Sequence, residues 1–207
     1  MAAQILKIAP DTPPIDAVDS AARIIIDGGV VVFPTRGLYG LGADAFNEKA
    51  VDRIFRIKQR SIQKPVLVLI DDVGHLERLV KKITPLARRI MSQFWPGQVT
   101  LVFDALDTVP ALLTAGTGKI GVRMAGHPVA AALSRAVSGP ITGTSANLAG
   151  EAGCMRIPDI NPAIIRAADL VLDAGPLKGG IGSSVVDVTG KSSVMLREGA
   201  VGAGNFF

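Results

Sequence analysis

Apolar positions fall into short runs that switch between the period of a strand and that of a helix. Ile5 to Ile8 predicts a short strand. From Ile15 to Asp27, Ala17, Ala21, Ile24 and Ile25 recur along one face, and Gly28-Gly29 stops the helix. Val30 to Phe33 is an unbroken β-branched and aromatic run, the pattern of a strand buried on both faces. Pro34 to Phe46 predicts a loop. Asn47 then caps a helix with Ala50, Val51, Ile54 and Phe55 on its apolar side, ending near Lys58. Val66 to Ile70, Val99 to Phe103 and Ile120 to Met124 predict strands. Val73 to Val80, Pro85 to Phe94 and Pro128 to Val137 predict helices. A short strand from Pro140 to Thr144 runs into Ser145-Ala146-Asn147. A helix near Pro162 to Ala168 and strands near Leu170 to Leu172, Ser184 to Val188 and Val194 to Arg197 complete the chain. This alternation gives an α/β (α+β) class with a mixed sheet flanked by helices. No linker or repeat divides it, so residues 1–207 read as a single domain. Gly150 to Pro158 and Leu177 to Gly182 read as mobile loops.

Composition narrows the chemistry. With 48% hydrophobic residues, a chain of 207 residues buries a core without staples, and disorder is excluded. One cysteine, Cys154, excludes a disulfide framework, and two histidines, His75 and His127, argue against a His-rich metal site. No apolar run approaches the roughly 20 residues of a membrane span, so the expectation is a cytoplasmic protein with no membrane partner. The charge is +4, from 22 Lys+Arg against 18 Asp+Glu: suited to an anionic ligand, too small to demand one.

Five segments carry candidate chemistry. Gly37-Leu38-Tyr39-Gly40-Leu41-Gly42 follows a strand, as phosphate-binding turns do, although its glycines are out of order for the dinucleotide fingerprint; the alternative is a tight loop needing positive φ. Thr114 to Lys119 resembles half a P-loop but lacks the first Gly and the final Ser/Thr, which leaves Lys119 as a candidate anion contact. Gly143-Thr144-Ser145-Ala146-Asn147 approaches a nucleophile elbow, yet Asn147 stands where Gly is needed and no His lies downstream. Ser and Asn two apart instead offer groups to phosphate or ribose oxygens, or stabilise their own turn. Lys58-Gln59-Arg60 is either a phosphate clamp or a basic helix terminus. Arg123, in an apolar strand, needs a partner: a substrate anion, or Asp173 or Asp187. Arg197 ends the last strand, beside Glu198. His127 reads as a structural turn residue, and nothing marks Cys154 as reactive.

Taken in order, these pieces resemble the YrdC/YciO family, whose characterised members include threonylcarbamoyl-AMP synthases. The matching stretches are Phe33-Pro34-Thr35 with Tyr39 to Gly42, Ala50 to Arg60, Phe94 to Gly97 with Thr100-Leu101, Val122 to Met124 with His127-Pro128, Ser145 to Leu148, Ser183 to Asp187, and Leu196 to Gly199. The resemblance implies a twisted α/β sheet around a basic cavity, in the single-domain form. It implies conversion of ATP, bicarbonate and L-threonine into threonylcarbamoyl-AMP and pyrophosphate, supplying a tRNA modification. Mg²⁺ on the pyrophosphate and tRNA-modification proteins as partners are part of that expectation. In the family, the elements matching Lys58, Arg60, Ser145 and Asn147 form the nucleotide site, with Arg197 beside them. Lys58 and Arg60 are the residues expected to assist the chemistry. Gly143 and Lys119 join them as candidate nucleotide contacts, and Thr35, Gly37, Arg123 and Ser183 fall on the amino-acid side. Two departures stand out. Many synthases read P-T-E-T where this chain has Pro34-Thr35-Arg36-Gly37, and many carry His at the position of Leu69. These motivate two rivals: a YciO-like paralogue with another substrate, tested by restoring Thr at Gly37, and a tRNA or double-stranded RNA-binding module without catalysis. A single Trp and a single Tyr make base-stacking platforms scarce in the second.

Overall fold

A computed structural model describes residues 3–206. In chain order the elements are β1 (Gln4–Lys7), α1 (Ile15–Ile26), β2 (Val31–Pro34), β3 (Tyr39–Gly42), α2 (Glu48–Lys58), β4 (Val68–Ile70), a 3₁₀ helix (Val73–Arg78), α3 (Pro85–Phe94) and β5 (Val99–Asp104). Then come α4 (Ala111–Thr114), β6 (Lys119–Met124), α5 (Pro128–Val137), β7 (Ile141–Thr142), β8 (Thr144–Ser145), α6 (Pro162–Ala167), β9 (Leu170–Asp173), β10 (Ser184–Asp187) and β11 (Val194–Arg197).

The expected single mixed sheet is two mixed sheets. One runs β1-β9-β2-β3-β8 and the other β11-β10-β5-β6-β4-β7. The predicted strand from Pro140 to Thr144 is divided between them: β7 pairs with β4 and β8 with β3. The chain crosses at Gly143, where a Cβ would stand 2.6 Å from Leu69 Cγ and 2.7 Å from Leu67 Cδ1. No side chain fits at the crossing, and the turn that follows it, Ser145 to Asn147, is thereby delivered to the space between sheets.

The loop predicted from Pro34 to Phe46 contains β3. None of its glycines is in the positive-φ region, and Gly40 and Gly42 belong to the strand. They permit close packing instead: a Cβ on Gly42 would lie 2.6 Å from the Phe33 ring, and one on Gly40 would lie 3.2 Å from Thr144 O. The first strand starts one residue earlier than expected, and the strand expected from Val66 begins at Val68, because Val66 N–H donates to Leu113 O. A short helix, α4, was not expected.

Three buried clusters hold the layers. One fills the space around β4, β5 and β6 with α3, another joins α1 and α5 to β2 and β9, and the third sets α2 and α6 against β2 and β3. Helix α2 obeys its sequence: Asn47 accepts from Ala50 N–H at 3.1 Å, and Ala50, Val51, Ile54 and Phe55 are buried. Its outer face is pinned by Asp169, which accepts from Arg53 at 2.6 and 3.0 Å and from Val30 N–H at 2.7 Å. Burial alone would push the Asp169 carboxyl up, but these bonds hold it below the ordinary range. The stability it contributes is therefore complete above the unfolded carboxyl value and fades as pH falls through the lower folded one. Each side chain of the pair is 37% exposed, so solvent screens it. Asp169→Ala is expected to cost about 1–2 kcal/mol near neutral pH and less below pH 4, read from urea midpoints at both pH values.

Candidate functional site

One large cavity, about 1500 Å³, is lined from both sheets. It exceeds the roughly 300–1,000 Å³ of a cleft for one small ligand, so two substrates fit together. Its lining carries seven cations (Arg36, Arg60, Lys64, Lys119, Arg123, Lys178, Arg197) against two acids, Asp11 and Glu151. The local excess of five exceeds the chain's whole net charge of +4. The basic bias of the protein thus lies in this cavity.

Arg60, Arg123 and Arg197 form its charged centre. Arg60, just past the end of α2, donates to Lys64 O at 3.2 Å and Pro65 O at 2.9 Å, which fixes its guanidinium on the wall. Arg197, on β11, donates to Ser183 O at 2.7 and 3.2 Å, not to Glu198. Arg123, on β6, has no hydrogen bond or ion pair with any described residue. Both internal partners considered for it are taken: Asp187 by Lys119 at 2.8 Å, and Asp173 by Tyr39 Oη and Gly175 N–H. Burial, then repulsion from Arg197, lowers Arg123 to about 10. Burial and Arg197 likewise lower Arg60, and burial lowers Arg197. Burial and the Arg197 charge disfavour the cations at Arg60 and Arg123, and the Arg123 side chain is unpaired among the described residues, an arrangement that suits a bound anion.

The Ser145–Asn147 turn lies beside them. Ser145 Oγ bonds to Asn147 Oδ1, and Asn147 Nδ2 donates to Leu148 O at 2.8 Å and Glu151 O at 2.7 Å. Ser145 thus has an amide oxygen, not a base, as its neighbour. His75 pairs with Asp71, and His127 caps α5 through Nδ1. Neither histidine activates the serine. Burial raises the Cys154 thiol, which agrees with its reading as unreactive.

Lys58 differs from its sequence assignment. It is 2% exposed and absent from the cavity wall. Its ammonium donates to the backbone oxygens of Ser145 and Asn147, the latter at 2.7 Å. In this geometry it is a positioning residue that holds the turn, while Arg60 presents the charge. Lys119 lines the cavity with its ammonium already bound to Asp187 and to Thr189 Oγ1 at 2.9 Å. Gly143, Ser145, Asn147, Thr35, Gly37, Arg123, Ser183 and Arg197 all reach the wall. Thr35 Oγ1 donates to Leu38 O at 2.6 Å, and Ser183 Oγ shares a 2.8 Å bond with Thr100 Oγ1. Lys64, just beyond the Lys58-Gln59-Arg60 candidate, reaches the wall as well. Thr100 was named only within a matching stretch and Lys178 was not singled out: ordinary strand and loop residues carry no local signal of what they face.

The loops read as mobile are tied by backbone bonds. Tyr39 N–H donates to Cys154 O, Leu177 N–H to Met155 O and Gly179 N–H to Gly37 O, at 2.9, 2.9 and 3.0 Å. A Cβ on Gly37 would stand 2.4 Å from Gly179 O. Restoring Thr there would displace the 176–182 strap, so that substitution does not test the substrate alone.

Two outcomes follow. Burial first, then Arg60, lowers Lys58 to about 8. Its ¹⁵Nζ resonance is expected to titrate near pH 8. Because the folded state releases this proton before the unfolded state does, the penalty Lys58 places on folding is full below about pH 8 and fades as pH rises to about 10.4. Lys58→Met leaves the Asn147 carbonyl unpaired, while Ser145 O keeps the Asn147 N–H at 3.0 Å, and is expected to cost about 1–3 kcal/mol in chemical unfolding at pH 7. Gly37→Thr is expected to lower stability by about 1–3 kcal/mol and to speed amide exchange at Gly179, read by hydrogen exchange.

Comparison with known proteins agrees with this architecture. The family model Sua5_yciO_yrdC, described as telomere recombination, matches residues 23–199. A threonylcarbamoyl-AMP synthase of Pyrococcus abyssi is 35% identical over 181 residues, 87% of this chain and 53% of that protein. The chain thus spans about half the length of that relative. A structure of P. abyssi Sua5 complexed with L-threonine superposes with TM-score 0.92 at 32% identity, over 97% of this chain and 59% of that one. E. coli YciO superposes with TM-score 0.89 at 29% identity, over 99% and 100%. The cavity between two sheets, the motif order and the matched length agree: this chain belongs to the Sua5/YciO/YrdC family.

Proposed function

We propose that the chain is an ATP-dependent L-threonylcarbamoyladenylate synthase, a nucleotidyltransferase-type enzyme acting in tRNA threonylcarbamoyladenosine formation. The observation that carries this reading is the convergence of Arg60, Arg123 and Arg197 beside the Ser145–Asn147 turn, in a cavity large enough for nucleotide and acceptor. The names of the relatives supply the reaction. The acceptor amine and bicarbonate give a carbamate and water. A carbamate oxygen then attacks the α-phosphorus, the bond from that phosphorus to the bridging oxygen breaks, and pyrophosphate leaves with the electron pair.

Negative charge shifts onto phosphate oxygens as this bond breaks. Fixed guanidiniums that already face the cavity stabilise it with little reorganisation. Arg60 and Arg197 take the triphosphate, Ser145 and Asn147 orient it, and Lys58 holds that turn from beneath. Arg123, the unpaired cation, takes the acceptor carboxylate near Ser183. No protein nucleophile is needed. Mg²⁺ enters on the nucleotide as part of the substrate, since among the described residues no cluster of His, Cys, Asp and Glu could hold a metal. Among the described residues no helix is long and apolar enough to cross a membrane. Against a purely RNA-binding role, Tyr39, the one Phe, Trp or Tyr of the lining, is buried and donates its hydroxyl to Gly175 O at 2.7 Å.

Pyrophosphate release is expected to require ATP, bicarbonate and an amino-acid acceptor together, with L-threonine serving as one. Release that needs no acceptor or no bicarbonate overturns the reaction. Arg123→Ala is expected to raise the KM for threonine about ten- to a hundredfold, the loss of a charge-assisted bond of about 1.5–3 kcal/mol, while the KM for ATP moves less.

A further inference from the structure

The mouth of the cavity holds charges that the reaction above leaves unused. The strap from Pro176 to Gly182 lies along the wall, joined to the turn between β2 and β3 by the bond from Gly179 N–H to Gly37 O. That bond places the neighbours of the two glycines, Lys178 and Arg36, on adjoining backbone segments. Both side chains are exposed, both line the cavity, and neither forms an ion pair or side-chain hydrogen bond with a described residue.

The Arg36 guanidinium does not drift into solvent. Its Nη1 lies 2.8 Å from where a Cβ on Gly97 would stand, so it reaches from the β2–β3 turn to the Gly97 backbone. Gly97 in turn packs against Gly126, beside the first turn of α5 and its cap His127. His127 Nδ1 accepts from Val129 N–H, so the neutral ring carries its proton on Nε2 and is a donor. Of the two acids in the lining, Asp11 faces His127, and Glu151 accepts from Leu148 N–H at 3.3 Å. Arg197, not Arg36, is the charge that disfavours Arg60 and Arg123. Two cations without a side-chain partner among the described residues, held on neighbouring segments and apart from the nucleotide cations, are available to an anion of their own.

We propose that Arg36 and Lys178 form a second carboxylate subsite at the cavity mouth, and that it serves a dicarboxylic amino-acid acceptor. One carboxylate lies at Arg123. The other is held at the mouth by the Arg36 fork with Lys178 as a point charge. The proposal rests on the synthase reading for its chemistry, which is unchanged: the acceptor amine still forms the carbamate.

The test measures pyrophosphate release with ATP, bicarbonate and L-threonine, L-aspartate or L-glutamate. At least one of the acidic amino acids is expected to support release. Arg36→Gln is expected to lower its kcat/KM tenfold or more relative to that of threonine, and Lys178→Gln to shift the same ratio by less. Calorimetric titration of L-aspartate and L-glutamate into protein loaded with a non-hydrolysable ATP analogue reads the subsite without turnover, and Arg36→Gln is expected to weaken that binding at least tenfold. If threonine supports release while neither acid turns over or binds, the subsite is refuted and the synthase reading stands. If no amino acid supports release yet acid binding depends on Arg36, the subsite stands and the synthase reading falls. A tenfold rise in KM for ATP in Arg36→Gln, or an equal loss with every acceptor, assigns these cations elsewhere and overturns the proposal.

Discussion

The buried ammonium of Lys58 joins the parts on which the cavity depends. It sits at the end of α2, a helix fixed by its apolar face and by Arg53–Asp169, and reaches the backbone of the turn where the chain passes between sheets. The Asn147 carbonyl aimed into the interior needs a donor, and a buried lysine needs acceptors. Each satisfies the other, and Ser145 O, which also accepts from Asn147 N–H, completes the lysine's set. Arg60, two residues further on, is consequently set on the same wall as Ser145 and Asn147.

Around that tie the protein accumulates positive charge against its own electrostatics. Burial lowers the proton affinity of Arg60, Arg123 and Arg197, the Arg197 charge lowers that of Arg60 and Arg123 further, and the Arg123 side chain has no partner among the described residues. A fold selected for stability alone would place an acid there. Glu151 and Asp11 are the only acids of the lining, and neither lies in an ion pair with the three. Pre-set cations of this kind are useful to a reaction in which charge develops on phosphate, because they need not move as it forms. The small net charge of the chain conceals this arrangement, since the remaining residues balance to slightly acidic.

Much of the local structure was legible. Helices α1, α2, α3 and α5 follow apolar periodicity and their caps, and the buried strands β2, β5 and β6 follow β-branched runs. Strand β3 was not legible, because Gly40 and Gly42 read as turn residues until Phe33 and the neighbouring strand are seen to require their missing side chains. The division into two sheets was equally hidden. It depends on where Gly143 crosses, and a crossing is set by pairing with strands distant in sequence. Within the site, Arg123 and Arg197 stood out as charges in apolar strands. Lys178 and Thr100 did not, since nothing local distinguishes them.

The sequence by itself determined the class of fold, the helices and main strands, and the family, because periodicity, capping and motif order are local and survive without coordinates. Only the tertiary structure decided that Lys58 supports a turn while Arg60 faces the cavity, that Lys119 is paired, and that Gly37 is closed to side chains by Gly179. Those outcomes depend on distances between residues far apart in the chain, such as Lys58 to Asn147 and Gly37 to Gly179. Such distances come from packing two sheets against each other, which no single stretch of sequence encodes.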